Sequence, residues 1–463
     1  MRDLGQIIKA YDVRAIYPDQ LDEALASEIG AAFVRTVGAA GGAIVVGHDM
    51  RPSSVPLVAA FTSGATSQGA DVVQVGLVST DALSFASGSL GLPGAMFTAS
   101  HNPARYNGIK LCRAGAVPVG QDTGLAEIRR LVEDGVPAYE GGAGAVSQRD
   151  LLTAYADYLK ELVDLSGIRP LTVVADAGNG MGGHTAPIVL AGLPLAVVPM
   201  YFELDGTFPN HEANPIDPAN LRDLQAKVVE TGADLGLAFD GDADRCFVVD
   251  ERGVIVTPSA ITALIAAREL ARVPGASIIH NLITSRTVPE VIAENGGTAV
   301  RTRVGHSFIK AVMAETGAVF GGEHSGHFYF RDFWRADSGM LAALHVLAAL
   351  GGTPEGTTLS SLLAPYDRYV VSGEINSTVD DAPARTAAVE AAFVDGAADG
   401  AAGGDAVTVD RLDGLTIDAA SWWFNVRGSY TEPLLRLNVE ADSAATMERV
   451  RDRVLAIVRK VPA

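Results

Sequence analysis

The sequence predicts an α/β protein of three similar mixed α/β domains followed by a smaller C-terminal α+β domain. Three segments share one pattern: an apolar strand, a polar loop, an amphipathic helix and a second apolar strand. They start at Ala43, Leu171 and Ser277. Strand runs rich in Val and Ile that are joined through a helix indicate βαβ units, which favour a largely parallel sheet covered by helices. The length of 463 residues also fits about three domains of roughly 150 residues each.

The domain boundaries are predicted at turns between these units. A GGAG run at 141–144 separates two helical runs, and Thr257-Pro258 fits an N-cap followed by a first-turn proline. A third break lies near 364–367. We therefore expect domain 1 at 1–145, domain 2 at 146–253, domain 3 at 254–366 and domain 4 at 367–463.

The residues after about Arg368 have a different pattern. The strand runs YVVSGEINSTV, VTVD and LLRLNVEA precede a terminal helix, SAATMERVRDRVLAIVRKV. This arrangement predicts a smaller α+β domain with an antiparallel sheet. The stretch 382–405 is rich in Ala, Gly and Asp and is predicted to hold a helix followed by a flexible loop.

The charge of the chain excludes some partners. Lys and Arg number 35 against 55 Asp and Glu, which gives a formal net charge of −20. A surface this acidic repels phosphate backbones, so nucleic-acid binding is not expected. The same field repels a sugar phosphate, so any phosphate site must be a local basic pocket.

Cysteine content and hydropathy indicate the compartment. Cys112 and Cys246 are too few for a disulfide scaffold or a Cys-based zinc site. Residues 1–15 have neither a long apolar core nor a small-residue cleavage site, so no secretory signal is expected. The longest apolar stretch, near 340–352, is too short to span a bilayer. We expect a soluble cytoplasmic protein that does not bind membranes.

The sequence DGDADR at 240–245, here called the aspartate loop, lies between the apolar runs LGLAF and CFVV. The carboxylates of Asp240, Asp242 and Asp244 repel one another unless a cation lies among them, and oxygen ligands select Mg²⁺ or Ca²⁺. An EF-hand is disfavoured because Arg245 stands where its turn needs glycine, and because the flanks are predicted strands. The remaining alternative is a solvated acidic turn.

The sequence TASHNP at 98–103, here called the serine loop, follows the apolar run PGAMF. Ser100 at the end of a strand, followed by His101 and a rigid Asn-Pro turn, fits a nucleophile or phosphate carrier. An ordinary Asn-Pro turn is the alternative. Lys110 lies within an apolar strand run and could reach the same site, or it could be a snorkelling lysine on an edge strand.

The sequence GGEHSGH at 321–327, here called the glycine loop, combines flexible backbone with polar side chains. Glu323 offers an acceptor and Ser325 a donor and acceptor, which suit sugar hydroxyls. His324 and His327 have a spacing that could bind zinc, but the glycine flanks and the lack of a Cys cluster count against this. A plain polar loop is the alternative.

The sequence RGSYTEP at 427–433, here called the arginine loop, precedes the strand run LLRLNVE. The guanidinium of Arg427, the hydroxyls of Ser429 and Thr431 and free backbone amides around one glycine suit an anion. This is the kind of basic, hydroxyl-rich pocket that an acidic protein needs to hold a phosphate. A simple turn is the alternative.

Together the four loops resemble the α-D-phosphohexomutase family, and within it the bacterial phosphomannomutase/phosphoglucomutase enzymes. The serine loop resembles the phosphoserine loop of that family, the aspartate loop its metal loop, the glycine loop its sugar loop and the arginine loop its phosphate loop. They occur in the family order over nearly the whole chain. The resemblance implies four domains around one deep central cleft.

The resemblance also implies roles for single residues. Ser100 would carry a phosphate, and that phosphate would bind Mg²⁺ together with Asp240, Asp242 and Asp244. Arg245 would contact the phosphate, while His101 and Lys110 would assist proton transfer and charge stabilisation. The implied substrate contacts are Tyr11, Arg14, Gly305, His306, Glu323, Ser325, His327, Arg427, Ser429 and Thr431.

The implied reaction moves a phosphoryl group between O6 and O1 of a hexose phosphate. The substrates would be mannose phosphates and also glucose phosphates, with a sugar 1,6-bisphosphate as intermediate and activator. The expected partners are therefore small hexose phosphates, and the expected assembly is a monomer or homodimer. Two alternatives are phosphoglucosamine mutase of the same family and a non-catalytic protein that binds a metal or sugar phosphate.

Some positions depart from the family pattern. Some relatives have a lysine where this chain has Ile283, so that contact is lost or supplied by another residue such as Arg286. His324, Gly428 and Tyr430 also differ from the commoner residues. His324 and Tyr430 count against phosphoglucosamine mutase, whereas an intact Ser100 and Asp triad count against a non-catalytic protein.

Overall fold

In the computed structural model, residues 3–394, 406–428 and 434–460 are described, without the side chains of His306 and Ser307. Domain 1 has strands β1 Val13–Ile16, β2 Ala43–His48, β3 Asp71–Leu77, β4 Gly94–Phe97, β5 Tyr106–Arg113, β6 Val117–Pro118 and β7 Val146–Gln148. Its helices are α1 Leu4–Ile7, α2 Glu23–Val37, α3 Ser54–Ser67, α4 Thr80–Leu90 and α5 Leu125–Asp134. The sheet order is β1-β5-β4-β2-β3-β7, with β6 beside β5. The predicted first βαβ unit is β2, α3 and β3, and its two strands are parallel.

Domain 2 has a five-stranded sheet in the order β12-β11-β10-β8-β9. The strands are β8 Leu171–Asp176, β9 Leu195–Met200, β10 Leu235–Phe239, β11 Cys246–Asp250 and β12 Ile255–Val256. The helices are α6 Leu152–Leu162, α7 Gly182–Val189 and α8 Arg222–Thr231. Strand pairing thus extends the first sheet to Gln148 and the second to Val256, three residues past the predicted boundaries at 145 and 253.

Domain 3 has a sheet in the order β14-β13-β15-β16. The strands are β13 Ser277–Asn281, β14 Thr298–Thr302, β15 Phe320–Gly322 and β16 Phe328–Phe330. The helices are α9 Pro258–Arg272, α10 Thr287–Glu294, α11 His306–Thr316, α12 Gly339–Gly351 and α13 Leu359–Leu363. The hydroxyl of Thr257 accepts a hydrogen bond from the Ala260 N–H, so the predicted N-cap of α9 is confirmed.

Domain 4 is an antiparallel sheet packed against two helices, as predicted. Its strands are β17 Val370–Val371, β18 Ile375–Thr378, β19 Thr408–Asp410, β20 Leu415–Asp418, β21 Trp422–Gly428 and β22 Leu434–Ala441. Its helices are α14 Ala382–Val394 and α15 Ala444–Val458. The predicted single strand YVVSGEINSTV is wrong, because Gly373 has a φ of +67° and divides it into β17 and β18. The predicted flexible loop falls mostly on 395–405, outside the described residues.

Helix α12 lies at the junction of the first three domains, and all its residues are buried. A helix that is apolar on every side has to be packed against other elements on every side. The residues of α12 belong to one apolar cluster that also includes Phe85 of domain 1 and Tyr155 of domain 2. Domain 4 has a separate core, which contains Phe393 and Trp422. Within the described ranges, none of the helices combines the length and apolar character that crossing a membrane requires.

A buried carboxylate connects the same three domains. Asp81 at the start of α4 accepts hydrogen bonds from Tyr155 at 2.7 Å and from Ser338, the N-cap of α12, at 2.6 Å. Burial raises the pKa of Asp81 to about 6 from 3.8, although these hydroxyl donors oppose the rise. The folded state therefore holds the Asp81 proton more tightly than the unfolded chain does.

We expect this carboxyl to lower stability as the pH rises through its two pKa values. Below about pH 4 Asp81 is protonated in both states; between about pH 4 and 6 only the unfolded state ionises, which costs up to about 3 kcal/mol. Asp81→Asn, which cannot ionise, should lose less stability over this window when urea-unfolding midpoints are compared from pH 4 to 7. Asp19→Asn, at an exposed position, is the control. An Asp81→Asn profile parallel to that of the wild type would contradict this expectation.

Candidate active site

A cleft of about 1220 Å³ lies among the first three domains. The serine loop connects β4 to β5 and the aspartate loop connects β10 to β11, so charged groups from domains 1 and 2 meet there. Its lining includes Tyr11, Arg14, Ser100, His101 and Lys110 of domain 1, Asp244 and Arg245 of domain 2, and Arg303, Phe308, Lys310, His327 and Asp337 of domain 3.

The serine loop follows β4 and places Ser100 against the aspartate loop. The backbone of Ser100 is left-handed, with a φ of +50°, and its N–H donates to the hydroxyl of Thr98 at 2.9 Å. The Ser100 hydroxyl donates to Asp240 Oδ2 at 2.8 Å and accepts from Arg245 Nη2 at 3.1 Å. The hydroxyl is therefore held between a carboxylate and a guanidinium from another domain.

The aspartate loop joins the antiparallel strands β10 and β11. Oxygen atoms of Asp240, Asp242 and Asp244 lie within 4.8 Å of one another, and all three residues are buried. Asp242 Oδ1 and Asp244 Oδ1 have no hydrogen-bond partner among the described residues. Buried carboxylate oxygens without a donor fit a hard divalent cation such as Mg²⁺. The flanking strands also exclude the EF-hand, whose loop lies between helices.

Lys110 of β5 reaches across to the aspartate loop. Its Nζ lies 2.7 Å from Asp242 Oδ2 and 2.7 Å from Asp244 Oδ2. Burial lowers the pKa of Lys110, but the two carboxylates outweigh burial and raise it, so the amine stays charged. Strand β5 lies between β1 and β4, so the alternative of a snorkelling lysine on an edge strand is wrong.

His101 is neutral at this site. Burial, and next the charge of Arg245, lower the pKa of its imidazole well below 6.5. Arg245 Nη2 contacts the imidazole Nδ1, which also lies 3.2 Å from the Ser100 hydroxyl. A neutral ring with an unprotonated Nδ1 at this distance can accept a proton from the serine side of the cleft.

Gly241 lets the two loops approach each other. A Cβ on Gly241 would lie 2.4 Å from the carbonyl oxygen of Ser100, far inside van der Waals contact. The Gly241 N–H donates to Ala213 O at 3.2 Å, so the aspartate loop is fixed on its other side as well. Glycine at this position is therefore required for the distance between Ser100 and the three carboxylates.

The glycine loop lies beside the aspartate loop. Arg245 and His327 form an antiparallel backbone bridge, and His327 Nε2 is 3.7 Å from Asp244 Oδ1. The Ser325 hydroxyl is 2.8 Å from His327 Nδ1. The structure therefore brings the glycine loop to the same site as the serine and aspartate loops.

Glu323 is more enclosed than a residue that simply faces the cleft. It is 2% exposed, and Oε2 accepts a hydrogen bond from the Tyr329 hydroxyl at 2.7 Å. Its Oε1 accepts from the Gly305 N–H at 3.2 Å, which ties the predicted sugar-recognition residue Gly305 to the glycine loop. The side chain of His306 lies outside the described residues.

The N-terminal residues Tyr11 and Arg14 line the cleft. Arg14 Nη1 donates to Asn102 Oδ1 at 2.6 Å and to Ala99 O at 3.3 Å, so it contacts the serine loop. The Tyr11 ring packs edge-on against Phe308 of α11, with 6.3 Å between ring centroids. The contact of Tyr11 with Phe308 connects domain 1 to domain 3 across the cleft.

Arg427, the first residue of the arginine loop, is not among the residues that line this cleft. Arg427 ends β21 and pairs with Glu374, with 2.7 Å between Nη2 and Oε2. Arg436, opposite Arg427 on β22, shares the same carboxylate at 3.2 Å. Burial, and next the charge of Arg427, lower the pKa of the His324 imidazole to about 3, so Arg427 lies near the glycine loop. Ser429 and Thr431 lie outside the described residues, as does Tyr430.

Arg286 does not take the place of the lysine absent at Ile283. Its guanidinium bonds the carbonyls of Ala420, at 3.2 Å, and of Ala419, and also contacts Asp418. Ile283 is buried in a small apolar cluster. The hypothesis about Arg286 is therefore wrong, because this side chain joins domain 3 to domain 4.

Two charged residues of the cleft that are not among the predicted site residues, Lys310 and Asp337, pair with each other. Lys310 Nζ lies 2.7 Å from Asp337 Oδ1, and Asp337 Oδ2 lies 3.9 Å from His327 Nε2. Lys310 is on α11, four positions after His306, and this spacing could have indicated that it lies on the same side of the helix. Asp337 follows a strand and a short turn and has no comparable signal in the sequence.

Four family models match the chain in order. They describe phosphoglucomutase/phosphomannomutase α/β/α domain I at 5–137, α/β/α domain II at 153–253, α/β/α domain III at 257–369 and the C-terminal domain at 374–457. A phosphomannomutase of Salmonella typhimurium is 39% identical over 457 residues, covering 96% of this chain and 97% of the relative.

A second relative and a crystal structure are similar over the same span. A Xanthomonas campestris protein described as phosphohexose mutases is 40% identical over 451 residues, covering 97% of this chain and 98% of its own length. The crystal structure is of a phosphoglucomutase/phosphomannomutase family protein from Burkholderia thailandensis. It has a TM-score of 0.87 at 33% identity and covers 100% of this chain and 99% of its own.

Proposed function

The chain belongs to the phosphoglucomutase/phosphomannomutase family, and from this premise we propose that it interconverts mannose 6-phosphate and mannose 1-phosphate. Membership of this family makes the protein a phosphohexose mutase, an isomerase. Glucose 6-phosphate and glucose 1-phosphate are the proposed second substrate pair. Four domains with limits near the predicted ones are proposed to surround the site.

One observation carries the proposal that the reaction passes through a phosphoserine. The Ser100 hydroxyl lies 2.8 Å from Asp240 Oδ2 and 3.1 Å from Arg245 Nη2, next to a cluster of three buried carboxylates. A phosphate on that oxygen would meet the guanidinium directly. Mg²⁺, when bound by this phosphate with Asp240, Asp242 and Asp244, supplies charge neutralisation at the phosphoryl group.

The proposed transfer needs little covalent chemistry from the protein. The free O6 or O1 hydroxyl of the sugar phosphate attacks the phosphorus on Ser100, a new O–P bond forms, and the bond to the serine oxygen breaks. The proton of the hydroxyl passes to the serine oxygen by way of His101 Nδ1, 3.2 Å from that oxygen. Arg245 and the charged Lys110 stabilise the transferring group, because positioning and electrostatics dominate phosphoryl transfer.

The resulting sugar 1,6-bisphosphate must turn round before the second transfer, which restores the phosphoserine and releases the isomer. We propose that Arg427, with Ser429 and Thr431, holds the phosphate that does not react. Glu323 and Ser325 would hold the sugar hydroxyls. Tyr11, Arg14, Gly305, His306 and His327 are proposed as further contacts around the turning sugar.

Phosphorus NMR of the purified protein tests the substrate assignment. Mannose 1-phosphate, glucose 1-phosphate and glucosamine 1-phosphate are added in turn, with Mg²⁺ and a trace of glucose 1,6-bisphosphate. We expect 6-phosphate resonances to appear from the mannose and glucose compounds, and a protein-bound phosphate ester to be present. Conversion of glucosamine 1-phosphate alone would instead identify a phosphoglucosamine mutase.

A further inference from the structure

A buried ion pair beneath the serine loop has no part in the transfer described above. Asp49 and Arg51 follow β2, and both side chains have 0% exposure. Arg51 Nε lies 3.1 Å from Asp49 Oδ2, and the Arg51 N–H donates to Asp49 Oδ1 at 3.0 Å. Burial of a guanidinium is unfavourable unless its N–H groups all have hydrogen-bond acceptors. The acceptors of the Arg51 N–H groups therefore show which segment this side chain holds.

The remaining donors of Arg51 all bond one segment of backbone. Nη2 donates to Ser100 O at 2.9 Å and to Asn102 O at 2.6 Å. Nη1 donates to Pro103 O at 2.9 Å and to Tyr106 O at 3.0 Å. All four carbonyls belong to residues 100–106, so a single rigid guanidinium fixes the segment that carries the serine.

The bond from Arg51 to the Ser100 carbonyl fixes the residue of the serine loop that has a left-handed backbone. The left-handed backbone of Ser100 is unfavourable for a residue other than glycine, so the surrounding structure has to hold it. The Ser100 N–H is held by the Thr98 hydroxyl and its carbonyl by Arg51. Thr98 and Arg51 therefore fix the backbone N–H and carbonyl of Ser100, while its hydroxyl faces the aspartate loop.

Domain 2 covers the ion pair. The ring of Phe208 lies 5.1 Å from the Arg51 guanidinium carbon. Gly206 lies so close that a Cβ there would be 2.7 Å from the Cα of Arg51. This cover keeps water from the bonds, which strengthens them, and links the serine loop to the domain that contributes Asp240.

We propose that Arg51 is a positioning residue for the phosphoryl transfer. It holds residues 100–106 so that the Ser100 oxygen points at the aspartate loop, and it is buried and not among the residues that line the cleft. The inference rests on the proposed function of Ser100. A role in folding alone would change stability and the yield of folded protein, but it would not single out kcat in the folded enzyme.

Arg51→Lys tests this role, because lysine keeps the charge opposite Asp49 but cannot bond four carbonyls at once. We expect kcat for mannose 1-phosphate to fall roughly 10–100-fold, since small misplacements of reacting groups have effects of this size. KM should stay within about twofold, because no substrate contact is lost. Arg105→Lys is the matched control: it lies in the same segment, but its guanidinium is exposed over the Tyr106 ring, and its kinetics should equal the wild type.

Thr98→Val provides a second test that leaves the guanidinium in place, in case Arg51→Lys does not fold. It removes the hydroxyl that accepts from the Ser100 N–H while keeping the side-chain volume, and the same selective fall in kcat is expected. Wild-type kcat in the folded variants, or a raised KM with unchanged kcat, would overturn the positioning role. A wild-type enzyme that never gains phosphate at Ser100 from glucose 1,6-bisphosphate would instead contradict the proposed function, and intact mass separates the two results.

Discussion

Replacing Ser100 with alanine is expected to lower kcat for mannose 1-phosphate by at least roughly 10³-fold. The substitution removes the oxygen that Asp240 and Arg245 hold, and no other hydroxyl in the described part of the chain bonds both of these groups. The fold should survive because only one atom is lost. Turnover is measured by a coupled assay for the 6-phosphate, together with intact mass after incubation with glucose 1,6-bisphosphate.

The Ser89→Ala variant is the control for the serine substitution. Ser89 is exposed near the end of α4, so its loss should change neither turnover nor phosphorylation. If Ser100→Ala kept near-full activity, or still gained a covalent phosphate, the phosphoserine mechanism would have to be abandoned.

Replacing Asp242 with asparagine is expected to remove the Mg²⁺ dependence and to lower kcat by roughly 10²–10³-fold, the size of effect seen when one preorganised electrostatic group is lost. Asp242 Oδ1 has no hydrogen-bond donor among the described residues, whereas Oδ2 accepts from Lys110 and from Thr80 at 2.6 Å. An amide would keep the shape but would lose a negative charge among the proposed ligands. Activity is measured across a range of Mg²⁺ concentrations, and binding of the ion by titration calorimetry.

The Asp122→Asn variant, at an exposed position of domain 1, should bind Mg²⁺ and turn over substrate like the wild type. An Asp242→Asn enzyme with the wild-type dependence on Mg²⁺ would show that this carboxylate is not a ligand. The same result would not affect the serine mechanism, which the mass measurement tests separately.

The elements predicted most directly from the sequence are those with a local signal. The βαβ units starting at Ala43, Leu171 and Ser277 are present because runs of Val and Ile form strands and the segments between them form amphipathic helices. The N-cap at Thr257 follows from a hydroxyl placed before a proline. Each strand, helix and cap in this group is indicated by residues within its own short segment of the chain.

The interactions that the sequence did not reveal join residues far apart in the chain. The residues around Arg51 have the composition of an ordinary polar turn. The proposed positioning role of Arg51 depends on backbone carbonyls, such as that of Ser100, about fifty residues later in the chain. Arg286 was interpreted as a cleft residue because it follows the expected strand, but its partners lie in domain 4. Asp81 accepts hydrogen bonds from the hydroxyls of Tyr155 in domain 2 and Ser338 in domain 3. Sequence spacing carries no information about such partners.

The separate core of domain 4 has a consequence for protein engineering. Domains 1 to 3 share helix α12 and its surroundings, so exchanging any one of them with a relative would leave a mismatched interior. Domain 4 meets domain 3 at several polar contacts and at a small apolar contact of Ile283 with Trp423. The polar contacts are the Arg286 bonds, Arg301 with Asp410, the Val304 N–H with Asp413, and Arg368 and Tyr369 with Glu290. A chimaera that imports a foreign domain 4 therefore has to preserve these surface contacts but not a shared interior. Natural recombination would face the same restriction, so an exchange at the start of domain 4 disturbs the packed interior least, provided that the arginine loop is kept.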